Sequence, residues 1–135
     1  MAVIDAKLIY MNNTAAGESV TSNVIELGAN GSNLNPLYID VKLTEGVTAG
    51  AVKSVKVQSS VDKAFTTPID EMEIFIPAAR NQKVPCQLVQ TFCPITPGGR
   101  YARLVVTGST TTDGTAIAGG KLWAYISPDI QVPVL

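Results

Sequence analysis

Glu71 and Glu73 are the residues of this chain most readily cast in a reaction. They lie two apart in Glu71-Met72-Glu73-Ile74-Phe75-Ile76, which on a β-strand puts both carboxylates on one face about 7 Å apart. That separation falls in the range of an inverting glycosidase pair, in which one carboxyl protonates the leaving group and the other activates water. The same residues alternate with Met72 and Ile74, so they also describe the wet side of an amphipathic strand. Phe75 alone stands nearby as a platform for a sugar ring, and the amphipathic strand is the reading we expect to hold.

Other chemistries find less to work with. Histidine is absent from the sequence, which removes the commonest general base and the commonest zinc ligand. The serines are not set in a G-x-S-x-G elbow, and the sequence contains no P-loop, dinucleotide fingerprint or calcium loop. We therefore expect no catalytic residues, no metal and no cofactor. Cys86 and Cys93 form a C-x6-C pair that fits no common zinc or redox motif. They read as two small buried thiols, with a disulfide as the alternative. Arg100 and Arg103 flank Tyr101, a cluster able to touch nucleic acid, but no basic field surrounds it. Asn12-Asn13-Thr14 and Asn30-Gly31-Ser32 match glycosylation sequons, which matter only on a secretory route.

The elements that must position these residues are short strands. Leu37, Ile39, Val41 and Leu43 alternate with Tyr38, Asp40 and Lys42, and Met72, Ile74 and Ile76 alternate with Glu71, Glu73 and Phe75. Period two of this kind marks a sheet with one buried face. Further strands are predicted at 23–27, 52–59, 84–92, 100–107 and 121–127, each rich in residues that suit a pleated surface. Gly28–Asn33, Glu45-Gly46, Thr96-Pro97-Gly98-Gly99 and Asp113-Gly114 read as turns. Pro85 implies an edge strand or a later strand start. The connections 64–70 and 77–82 have room for a helical turn but carry no sustained helical period. The expected fold is all-β, a two-sheet, jelly-roll-like sandwich forming a single domain over residues 1–135.

Length and composition agree with one such domain. The chain has 135 residues, of which 46% are hydrophobic and 16% charged, with 10 basic and 11 acidic side chains. No apolar run is long enough to cross a membrane as a helix, and Asp5 and Lys7 interrupt the opening MAVIDAKLIYM, so a cleaved signal is not expected. The balanced charge argues against nucleic-acid and membrane partners, and a neutral polar surface favours protein contact because little charge must be desolvated. Both ends are apolar. Residues 1–11 carry Ile4, Leu8, Tyr10 and Met11, an arm that could add an edge strand. Residues 128–135 carry Ile130, Val132, Val134 and Leu135 between prolines that prevent a helix. Both ends are expected to dock, on their own domain or on a neighbour, with the own domain favoured. Trp123 and Tyr125 alternate with Leu122, Ala124 and Ile126, so one set faces the core and the other a second face or an interface; for the lone Trp123 the core is the favoured reading over a binding anchor.

Several of these segments together resemble a known family. Thr21-Ser22-Asn23-Val24-Ile25-Glu26-Leu27-Gly28, preceded by Ile4-Asp5-Ala6-x-Leu8, is similar to the opening of the capsid cement proteins of a Bordetella podophage and its relatives. Pro36-Leu37-Tyr38-Ile39 resembles their next strand. Thr96-Pro97-Gly98-Gly99-Arg100-Tyr101-Ala102-Arg103-Leu104 resembles their late turn and strand, and Gly119-Gly120-Lys121 leads into a last strand as theirs does. The likeness runs from about residue 4 to residue 130. It leaves out the cysteine pair and residues 132–135.

The resemblance implies a decoration protein made in the bacterial cytoplasm and carried on the outer capsid surface of the virion. It would be a jelly roll that bridges major capsid subunits as a homo-oligomer, a dimer being favoured with a trimer as the alternative, and with no small-molecule substrate. The contact residues expected on this reading are Ile4, Leu8, Tyr10, Met11, Trp123, Tyr125, Ile130, Val132, Val134 and Leu135, with loops such as 108–120. The alternatives are another virion sandwich module, from a tail or head fibre, and a carbohydrate-binding module.

Overall fold

Alternation of apolar and polar residues becomes nine strands in the described part of the computed structural model, which covers residues 9–27, 37–96 and 98–127. They are β1 (Ile9–Ala15), β2 (Ser19–Thr21), β3 (Ile25–Glu26), β4 (Leu37–Ala49), β5 (Val52–Ser60), β6 (Ile69–Phe75), β7 (Cys86–Cys93), β8 (Tyr101–Gly108) and β9 (Ala118–Ser127). One sheet has the order β1-β9-β4-β7 and the other β2-β8-β5-β6, with β3 also pairing β8. All pairings are antiparallel. When β2 and β3 are counted as one interrupted strand, every connection except β5–β6 crosses between the sheets. That winding is the jelly roll.

The two inner faces form one core. Ile39, Val41 and Leu43 of β4 and Leu122, Ala124 and Ile126 of β9 meet Val55 and Val57 of β5 and Ala102, Leu104 and Val106 of β8, all buried. Burying each of the larger side chains stabilises the fold by about 1.5–3 kcal/mol. The outer face of β8 stays half-exposed at Tyr101, Arg103, Val105 and Thr107, the other half of the period-two pattern.

The structure departs from the sequence-based reading at several points. β4 runs straight through Glu45-Gly46, where a turn was expected. Glu45 pairs across the sheet with Lys121, their side chains 3.6 Å apart. Gly46 is there for clearance, since a Cβ at that position would lie 2.1 Å from the carbonyl oxygen of Lys83. β9 begins at Ala118, before the predicted start, and β2 falls outside the predicted strands altogether. β7 starts at Cys86, past Pro85, and is also a sheet edge. The 64–70 and 77–82 connections contain no helix; simple turns are closed by Phe65 N–H to Asp62 O at the start of the first and by Arg80 N–H to Pro77 O within the second.

Tyr10 and Met11 belong to β1, an edge strand beside β9, and both are buried in the core. The pairing of β1 slips between Ile9 and Met11, and this bulge lets two successive side chains turn inward. Neither is available as a surface contact, which corrects their placement in the docking arm. Ile4, Leu8, Ile130, Val132, Val134 and Leu135 lie outside the described residues, as do the Gly28–Asn33 turn, Pro36, Pro97 and Pro128.

The register fixes which features share an end of the sandwich. Ile9 pairs with Tyr125 and Tyr38 with Ser127, so β1 begins and β9 finishes at the same end. At the opposite end Ala49 pairs with Ala118, and the 49–52, 76–85 and 109–117 connections gather there.

Candidate interaction surface

On the first sheet the residues that alternate with the core form an outer face of aromatic and amide side chains. Cross-strand register sets three neighbours side by side in each row. Tyr38 of β4 lies between Ser127 and Phe92, Asp40 between Tyr125 and Gln90, and Lys42 between Trp123 and Gln87. Tyr38 and Phe92 meet edge to face with ring centroids 4.9 Å apart, and Trp123 and Tyr125 do so at 6.3 Å. Phe92 is 40% exposed, and Tyr38, Trp123 and Tyr125 are half-buried.

Asp40 is the polar centre of this face. It is only 3% exposed, yet its carboxyl accepts hydrogen bonds from Tyr125 Oη and Gln87 Nε2, each at 2.9 Å. Lys42 Nζ lies 3.7 Å from the same group and 5.8 Å from the centre of the Tyr125 ring. Burial, and then the hydrogen bond to Asp40, push the Tyr125 hydroxyl up to about 12. The phenol therefore stays protonated and keeps donating at every physiological pH. The network locks three strands of the outer face in one arrangement.

No family model matches the chain, and no curated protein matches it in sequence.

The residues singled out for other chemistry are dispersed. Glu71 is held by the loop before β8, accepting from the backbone N–H of Thr96 and from Thr96 Oγ1. Glu73 faces Lys56 at 3.7 Å. The two carboxyls thus have separate structural partners, as expected of the wet side of an edge strand. Arg103 donates to Gln58 Oε1 at 2.8 Å and stacks on Phe65 at 4.2 Å, so its guanidinium is engaged within the second sheet. Cys86 and Cys93 are free and sit at the two ends of β7. Seven strand steps separate them by about 23 Å, far beyond disulfide reach. Burial raises the Cys93 thiol to about 11, as suits an inert core residue. Among the described residues no cluster of His, Cys, Asp or Glu could hold a metal ion.

Of the predicted contact residues, Trp123 and Tyr125 are therefore the two that lie on a described surface. Sequence reasoning missed Asp40, Gln87, Tyr38 and Phe92 beside them. The alternation placed Tyr38 and Asp40 on the polar side of their strand, but nothing in it showed which strands flank that side.

Proposed function

We propose that this chain is a capsid cement protein that binds the outside of an icosahedral phage head and bridges neighbouring major capsid subunits. The observation that carries this reading is where the family-like segments fall. The early segment 21–28 and the late segment 96–104 are about 75 residues apart in sequence, yet their residues 22–27 and 100–104 run side by side. Ile25 pairs with Ala102 and Glu26 with Tyr101. Leu27 N–H donates to Arg100 O at 2.7 Å, Ser22 N–H to Leu104 O at 2.8 Å, and Leu104 N–H returns a bond to Ser22 Oγ at 2.8 Å. Two of the family-like segments thus form one hydrogen-bonded unit, while those at 37–39 and 119–121 lie in the other sheet.

The rest of the molecule suits an adhesive role. A two-sheet sandwich is a stiff spacer, and the aromatic face of the first sheet offers Trp123, Tyr125, Tyr38 and Phe92, residue types favoured at the centres of protein contacts. Each copy would contribute a contact of modest area, and many copies spanning two or more shell subunits would act together through multivalency. Quantitative mass spectrometry of purified virions tests this reading. A copy number close to that of the major capsid protein is expected. A handful of copies per particle would remove it and favour a tail or fibre module, and none at all would remove both.

The same aromatic face favours a second reading, a carbohydrate-binding module, because aromatic rings beside Asp40, Gln87 and Gln90 are groups that sugars contact. A glycan screen in which binding is lost in Trp123→Ala would select that reading over cement.

A further inference from the structure

The two flanks of the sandwich are closed unequally. On one, Tyr10 and Met11 of β1 and Ile25 of β3 are no more than 2% exposed, and Asn23 N–H donates to Tyr10 O at 3.1 Å to tie the two sheets together. On the other, where β6 ends one sheet and β7 the other, Met72, Ile74 and Cys86 pack on the core yet stay half-buried. Four of the five exposed large hydrophobic side chains among the described residues belong to this flank. They are Ile69 and Phe75 at the two ends of β6, Phe92 on β7 and Val84 two residues before it.

The backbone of β6 is set for a further strand. Ile76 N–H donates to Lys53 O at 2.8 Å, and an antiparallel pair alternates between bonded and non-bonded positions. Ile74 therefore shares a bonded position with Val55, while Glu73 and Phe75 turn their N–H and C=O groups away from β5. An edge of this kind is a template for strand addition.

Charge decides what the edge accepts. Asp70, Glu71 and Glu73 lie on β6, which carries no basic residue. Among the described residues Lys56 is the one cation in ion-pair reach of them, 3.6 Å from Asp70 and 3.7 Å from Glu73, so two negative charges stay uncompensated. Pairing β6 with β6 of a second copy would set these carboxylates against their own kind, which destabilises a strand pair. Asp70 and Glu73 share the outer face with Lys56 and Gln58, whereas Met72 and Ile74 turn to the core. The strand that fits carries cations on its outer side and apolar residues on its inner side, where they complete the cover of Met72 and Ile74.

We propose that β6 pairs along its open edge with an extended segment of another protein in which lysine or arginine alternates with apolar residues. Backbone bonds at Glu73 and Phe75 hold the segment, its cations lie against Asp70 and Glu73, and its apolar side chains close the flank. The inference goes beyond the cement reading, since any partner presenting such a segment satisfies it.

The test adds an end-capped nine-residue peptide of alternating lysine and valine to the isotope-labelled full chain at physiological ionic strength. Amide hydrogen exchange at Glu73 and Phe75, followed by NMR, should slow at least tenfold when the peptide is bound. A peptide of alternating glutamate and valine should bind at least tenfold more weakly, and the Asp70→Asn/Glu73→Gln variant should bind the lysine peptide about tenfold more weakly than the parent. Equal binding of the two peptides, unchanged affinity in the variant, protection on another strand instead of β6, or no binding would each overturn the proposal. Slow exchange at Glu73 and Phe75 in the free chain would overturn it too, because the edge would then already be paired. None of these outcomes touches the cement reading, which virion copy number decides.

Discussion

Asp40 organises the outer face of the first sheet from a position with almost no access to water, and its two hydrogen bonds hold that face together. Tyr125→Phe removes the donor at 2.9 Å while keeping the ring. A hydrogen bond to a charged group is worth about 1.5–3 kcal/mol, so urea denaturation should show a loss of that order. A change within error would mean that water replaces the hydroxyl. The pH dependence carries a sign of its own. The Tyr125 hydroxyl is raised from 10.0 to about 12 in the folded protein, so between those values the unfolded chain sheds its proton while the folded chain keeps it. Stability should fall as pH climbs through that window, and the fall should be shallower in Tyr125→Phe. Little of this network was legible in the sequence. The partners of Asp40 lie 47 and 85 residues further on, and only strand order brings them together. Alternation put Trp123 and Tyr125 on one side of their strand and Leu122, Ala124 and Ile126 on the other, but did not say which side was the core, and the expectation that Trp123 lies inside is corrected by its outward position. Tyr10 and Met11 could not be placed in the core, because a bulge buries two successive residues and breaks the period that signals a buried face.

At the scale of elements, β5 begins under the control of a side chain. Gln82 is 4% exposed, and its amide accepts from Val52 N–H at 2.7 Å and donates to Val52 O at 2.9 Å. It thereby serves Val52 as a strand neighbour would. Gln82→Ala leaves two buried backbone groups without partners and should cost about 2–6 kcal/mol, at about 1–3 kcal/mol for each unsatisfied group. The urea midpoint measures it, and hydrogen exchange at Val52 should accelerate in the same variant. Gly46→Ala tests the adjoining contact, because its methyl would collide with the Lys83 backbone. Overpacking against a backbone carbonyl should destabilise by about 1–3 kcal/mol, whereas an unaffected melting temperature would show that the 77–85 connection yields freely. These two residues explain why the turn expected at Glu45-Gly46 is a strand. Glycine signals a turn when read locally, but here it marks the close passage of a segment 37 residues away. The strands at 37–43 and 71–76 were legible because their sequences alternate, and that at 52–59 from its valines, although its alternation breaks at Ser54-Val55. β2, with three residues, has no length in which to alternate.

For the molecule as a whole, the jelly-roll-like sandwich was expected from the sequence, and its strand order was not legible. Periodicity says that a strand has a buried face and is silent about its neighbours. The order β1-β9-β4-β7 against β2-β8-β5-β6 emerges only from pairing across the chain. That winding is shared by viral shell proteins and sugar-binding domains alike, so it does not choose a function. The cement proposal stands instead on family-like segments that meet at β3 and β8 and on an outer face suited to adhesion. Thermal release of packaged DNA puts it to the most direct test, using phage heads made without this protein and the same heads after purified full-length protein is added back. The cement account requires the bare heads to release DNA at a lower temperature and the added protein to restore the original value. Identical release temperatures in bare and decorated heads would contradict it.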